Sequence, residues 1–212
     1  MKFIGITGGV GAGKSAILNY LNNKPKYRVM LADEIAHELM KSGTEVFKTI
    51  CNTFKNINDS EIGNLVDESG EFNRKNLAKL IFSSEENRKK INDIVHPAVK
   101  EYVKEQFALE KERGQIEVLV LEAALLIEEN YDAICDELWY IYTSEDNRRK
   151  RLKESRGYSD EKIDNIFSSQ LPEEEFIQKC KVVIDNNNSL EKTFLQIEKV
   201  LRGELNDECF RR

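Results

Sequence analysis

Five short apolar runs punctuate the chain: Lys2–Thr7, Tyr27–Leu31 (YRVML), 117–121 (EVLVL), 138–142 (LWYIY) and 182–184 (VVI). Each reads as a strand, the first with Phe3, Ile4 and Ile6 as its apolar part. Between the runs, apolar residues return at helical spacing. In residues 14–21, for example, Ile17, Leu18 and Leu21 share one face. Strands alternating with helices predict a parallel sheet covered on both faces, an α/β fold.

Two stretches interrupt this alternation. Residues 33–114 hold no convincing strand and predict several helices, near 34–54, near 74–82, and a long one from Glu85 toward Glu112. Pro97 falls inside the last, so a break or kink is expected near Val95 and His96. An insertion of this size is too long for a connection and predicts a helical lobe over the substrate. The second stretch, 144–181, is helical and rich in Arg and Lys. The expected organisation is a discontinuous core of residues 1–33, 115–143 and 181–205, a helical lobe at 34–114 and a lid at 144–180. There are no internal repeats, and the polar end, about 204–212, is expected to be disordered.

Composition narrows the class. A length of 212 residues suits one α/β domain with excursions. Hydrophobic content of 40% and charged content of 33% describe a soluble globular protein, and no apolar run approaches a membrane span. The first strand begins at residue 2, which leaves no room for a signal peptide. Cys51, Cys135, Cys180 and Cys209 form no C-x-x-C pair, and only two histidines are present. That argues against a zinc site and for reduced thiols in a cytoplasmic protein. A net charge of −6 argues against nucleic-acid binding. The expected partner is a small molecule, with no membrane involved and a monomer favoured.

The first strand leads into GGVGAGKS, residues 8–15, which fits G-x-x-x-x-G-K-[ST]. Glycines let backbone approach a ligand without a Cβ in the way. Successive N–H groups at Gly11, Ala12, Gly13, Lys14, Ser15 and Ala16 can point into one concavity, where the start of the helix adds partial positive charge. Lys14 would reach the β and γ phosphates of ATP, and the Ser15 hydroxyl would hold Mg²⁺. A glycine-rich turn that only joins a strand to a helix is the plainer alternative. It does not explain the Lys-Ser pair.

A phosphate cradle does not identify the reaction. Asp33 lies just past the second strand, at the sheet edge where ligands of open α/β folds bind. It suits a base that takes the proton of an acceptor hydroxyl, and it equally suits a helix N-cap. Glu122 follows EVLVL and reads either as a carboxylate near the metal or as an exposed first-turn acid. Arg148, Arg149, Lys150 and Arg151, with Lys153 and Arg156, form a dense basic run. They span a full helical turn, so only one or two can face a ligand. His96 beside Pro97 reads as a buried residue of the kink. Signatures of other nucleotide-binding classes are missing. N-K-P-K at 23–26 lacks the Asp that reads guanine, D-x-x-G at 67–70 follows a helix and reads as a turn, and L-S-G-G-Q is absent.

Taken in order, several segments resemble the dephospho-coenzyme A kinase family over nearly the whole chain. They are IGITGGVGAGKS, LADEIAHEL, GEFNRKNLAKLIF, NRKKINDIVHP, EAALLIEEN, RKRLKESRGYS with SSQLPEEE, and KVVIDNNNS. The resemblance implies a P-loop kinase fold and transfer of the ATP γ-phosphate to the ribose 3′-hydroxyl of dephospho-coenzyme A. It implies Asp33 as base or acceptor-orienting residue and Arg151 as the lid arginine. It also sets Arg74 and His96 in the substrate lobe near the acceptor. Four positions depart from the family pattern. Leu31 replaces the first Asp of D-A-D, and Ala124 replaces the Pro of P-L-L. Ser155 stands where a second lid arginine is often found, and Phe176 occupies a usual Lys or Arg position. The last two remove lid cations, which is expected either to lower activity or to shift the burden to Arg156 or Lys179. Two rivals stay open at the level of sequence: a kinase for another acceptor, and a nucleotide-binding module that no longer catalyses.

Overall fold

The computed structural model describes residues 1–55 and 62–204. Five strands are present among them: β1 (Lys2–Thr7), β2 (Tyr27–Leu31), β3 (Val118–Glu122), β4 (Glu137–Tyr142) and β5 (Val182–Asp185). They form a parallel sheet in the order β2-β3-β1-β4-β5. The register pairs Ile6 with Glu122 on one side of β1 and Thr7 with Tyr140 on the other. β1 is thus central, its neighbours come from far along the chain, and the carboxyl ends of β1, β3 and β4 lie side by side. Phe3, Ile4, Ile6, Leu119, Val120, Leu121, Trp139 and Ile141 are fully enclosed, as expected for strands buried on both faces.

The helices are α1 (Lys14–Asn22), α2 (Ala32–Leu39), α3 (Glu45–Thr53), α4 (Arg74–Ser83), α5 (Glu85–Arg113), α6 (Glu145–Arg156), α7 (Asp160–Ser168), α8 (Glu173–Lys179) and α9 (Leu190–Leu201). The chain divides into two compact units, one of Met1–Met30 with Glu110 onward and one of Leu31–Leu109. The first holds the sheet and the phosphate loop. Among its described residues the second holds helices and a bridge between Val66 and Phe72, which encloses a turn in which the Asp67 carboxylate accepts from the Ser69 and Glu71 amides. D-x-x-G is therefore a turn.

Two helical expectations are corrected. The single helix near 34–54 is two, because Thr44 caps a new helix by accepting from the Phe47 amide. The break at Val95 and His96 does not occur, and α5 runs unbroken through Pro97. Proline removes one donor, whereas Ile91, Val95, Val99 and Val103 form a buried stripe at four-residue spacing on both sides of it. That stripe holds the helix together. The expected polar tail, apart from Glu204, and Cys209 lie outside the described residues. No helix among the described residues is long and apolar enough to cross a membrane.

Candidate active site of a P-loop kinase

The loop between β1 and α1 owes its bareness to its neighbours. Gly11 and Gly13 have φ of 86° and 85°, in the left-handed region where a side chain is strained. A Cβ on Gly13 would lie 2.6 Å from Asn186 Nδ2, and one on Gly9 only 2.1 Å from Arg148 Nη1. The first turn of α1 has no side-chain cap and no acidic residue, which leaves its N–H groups and partial positive charge open to an anion. Lys14 folds back along the loop. Its Nζ donates to the Gly8 carbonyl at 2.7 Å and lies 3.6 Å from Glu122 Oε1. Glu122 is therefore no exposed first-turn acid: it ends β3, with a side chain only 17% exposed. The Ser15 hydroxyl is exposed and bonds to nothing among the described residues.

One carbonyl ties the loop to the rest of its unit. Ala12 O accepts from Thr143 Oγ1 at 3.1 Å, from Arg151 Nη1 at 3.2 Å and from Asn186 Nδ2 at 2.7 Å. Arg151 also donates to Thr143 Oγ1 and, at 2.7 Å, to the Asn186 carbonyl. Asn186 is buried, and its Oδ1 accepts from Thr193 Oγ1 of α9. Sequence reasoning missed Thr143 and Asn186. Asn186 could have been suspected as a polar residue directly after an apolar strand.

The basic run of α6 splits as helical phase requires. Arg148 and Arg151, three apart, turn toward the loop. Arg149 pairs instead with Glu145, Asp160 and Asp164, and those acids raise its pKa further. Arg148 packs its guanidinium against Gly9, stacks 4.2 Å from the Phe167 ring and donates to Gln170 Oε1 at 2.9 Å. Two departures from the family pattern gain a physical reading. Phe176 is buried and stacks on Tyr140 at 4.7 Å, so that position serves the core. Ser155 donates to the Arg151 carbonyl. Among the described residues, exposed Arg156 reaches Tyr158 and exposed Lys179 makes no contact with the loop, so neither supplies it with a cation.

In the second unit, Asp33 is the second residue of α2, where the N-cap position belongs to Leu31 and no side chain caps the helix. The capping alternative is thereby removed. Asp33 is exposed, and its carboxylate makes no hydrogen bond or ion pair among the described residues. Arg74 opens α4, and its Nη2 lies 3.2 Å from His37 Nε2. Both line a cavity of about 340 Å³ with Met40, Lys41, Glu71, Phe72 and Leu77. His37 and Lys41 were not anticipated, though His37 lies four residues past Asp33 on the same helix. His96 is half-buried in α5 and is not among the residues lining that cavity.

A central strand that feeds a G-x-x-x-x-G-K-S loop and a helix, in a five-stranded parallel sheet, defines a P-loop nucleotide-binding core, and its structural neighbours set it among the P-loop kinases. The solved structures agree on the fold. A Thermus thermophilus protein is 26% identical with a TM-score of 0.75, over 97% of this chain and 98% of its own. A dephospho-CoA kinase from Campylobacter jejuni has a TM-score of 0.66 at 23% identity, over 97% and 100%. The family model for dephospho-CoA kinase matches residues 2–192. A dephospho-CoA kinase of Streptococcus mutans is 35% identical over 97% of this chain and 99% of its own length. One from Shouchella clausii is 33% identical over 93% and 96%. The chain belongs to the dephospho-CoA kinase family, which completes coenzyme A biosynthesis by ATP-dependent phosphorylation of dephospho-CoA. It is a phosphotransferase with an alcohol group as acceptor.

Proposed function

We propose that the chain phosphorylates the ribose 3′-hydroxyl of dephospho-coenzyme A through the following division of labour. The amides of Gly11, Ala12, Gly13, Lys14, Ser15 and Ala16, with the Lys14 ammonium, hold the ATP phosphates. Asp33 takes the proton of the 3′-hydroxyl as its oxygen attacks the γ-phosphorus, and the bond to the ADP oxygen breaks. Arg151 neutralises charge on the moving phosphoryl group. Arg74 and His96 bind the acceptor within a substrate lobe at 34–114; residues 1–33, 115–143 and 181–205 make the nucleotide-binding core and 144–180 the lid. The free, exposed Ser15 hydroxyl fits a Mg²⁺ ligand, and the ion would supply further neutralisation of the phosphate oxygens. A cytoplasmic monomer acting on this small molecule completes the reading.

The observation that carries this proposal is the hydrogen bond from Arg151 of α6 to the Ala12 carbonyl of the loop, which supports the reading of Arg151 as the lid cation. Three of its five N–H groups are used there and two remain for a ligand. ADP release from Mg-ATP, measured with dephospho-coenzyme A, adenosine, AMP and pantetheine phosphate, tests it. Turnover should be fastest with dephospho-coenzyme A. A faster rate with another member of the panel overturns the acceptor assignment. Asp33→Asn should then be as inactive as Asp33→Ala while ATP binding is kept, and full activity in the Asn variant removes Asp33 as the base.

A further inference from the structure

Arg148 stands one helical turn before Arg151 and faces the opposite end of the same loop. A Cβ on Gly9 would come within 2.1 Å of its Nη1, so the guanidinium rests directly on bare loop backbone. From the outer side it is held by the Phe167 ring at 4.2 Å and by Gln170 Oε1 at 2.9 Å. Stacking and one hydrogen bond fix the plane of the group yet use one of its five N–H donors. Its Nε is buried and has no hydrogen-bond partner among the described residues. A desolvated donor held in place without an acceptor is the arrangement expected of a group waiting for an anion. The charges around the loop point the same way. Lys14, Arg148 and Arg151 all bear on the loop, Lys14 with Glu122 at 3.6 Å and Arg151 through the Ala12 carbonyl.

We infer that Arg148 is a second catalytic arginine, contacting the γ-phosphate of ATP at the Gly9 end of the loop, with Phe167 and Gln170 as its positioning residues. It supplies the lid cation missing at Ser155, from the preceding turns of the same helix rather than from Arg156 or Lys179. The inference rests on the proposed ATP-dependent reaction but not on the identity of the acceptor.

Two measurements on wild type, Arg148→Ala, Arg148→Lys and Arg149→Ala test it. In steady-state phosphorylation, Arg148→Ala should lose about 10²–10³-fold in kcat, as for a single donor to developing charge. Arg148→Lys should recover part of that loss, and Arg149→Ala should stay near wild type. In equilibrium binding without acceptor, Arg148→Ala should weaken ATP while leaving ADP affinity unchanged, because only ATP carries the γ-phosphate. Equal weakening of ATP and ADP together with a lowered Tm would show that Arg148 merely braces α6, and would overturn the inference. So would an unchanged ratio of ATP to ADP affinity. If wild type binds ATP more tightly than ADP through Arg148 but does not turn over dephospho-coenzyme A, the acceptor reading fails and the Arg148 inference stands.

Discussion

Lys14 turns its ammonium onto a loop carbonyl and toward Glu122 instead of into the apolar core. Lys14→Ala should therefore abolish phosphoryl transfer with little change in Tm. Near wild-type turnover would remove the phosphate-loop assignment. Arg151→Ala should lower kcat far more than it raises KM, because a cation aimed at the moving phosphoryl group acts mainly in the transition state. Ala12 O keeps Thr143 and Asn186 as donors in that variant, so stability should fall only modestly. Equal behaviour of Arg151→Ala and Arg149→Ala would mean that α6 offers only a generic basic face. The contiguous part of this site was legible in the sequence, since residues 8–15 carry the motif whole. The rest was not. Helical phase says that Arg148 and Arg151 share a face, but not which way that face looks. Nothing in a one-dimensional pattern links Ala12 to Asn186.

Among the elements, strands were legible because each is a dense apolar run, and their ends moved by only a residue. Helix boundaries in the second unit were less so, since the Thr44 cap and the Pro97 signal compete with an apolar spacing that runs past both. Pro97 is exposed within α5. A proline inside a helix costs about 3 kcal/mol relative to alanine, so Pro97→Ala should raise stability by about 1–3 kcal/mol, read as a higher urea midpoint at constant m. α8 meets the sheet through the stack of buried Phe176 on Tyr140 of β4. Phe176→Ala should cost about 3 kcal/mol in urea unfolding. Phe176→Lys, which returns the residue type usual in the family pattern, should cost no less, because it buries an unpaired ammonium.

At the scale of the whole molecule, several ionisable groups are buried in uncharged form. Burial, with Glu129 nearby, pushes the Tyr131 hydroxyl up to about 12. Burial also raises Tyr140, with a further push from Glu173, and lifts the Cys180 thiol to about 12. Each prefers its protonated state in the fold, so its contribution is fully present below the unfolded pKa and is lost as pH rises through the folded one. Unfolded Cys and Tyr titrate near about 8.5 and 10. Tm should hold up to about pH 8.5, fall slowly to 10, and fall steeply from 10 to 12. Tyr131→Phe should flatten the last limb, and an unchanged limb would assign it to other groups. The three donors on Ala12 O lie 131, 139 and 174 residues along the chain from it. Contacts that distant are entropically slow to close and are characteristic of parallel sheets. The anchoring of the glycine-rich loop through Ala12 O should accordingly be among the last features to form as the polypeptide refolds. ATP added during refolding should leave the main folding phase at its own rate, whereas ATP added to the folded enzyme should slow its unfolding in denaturant.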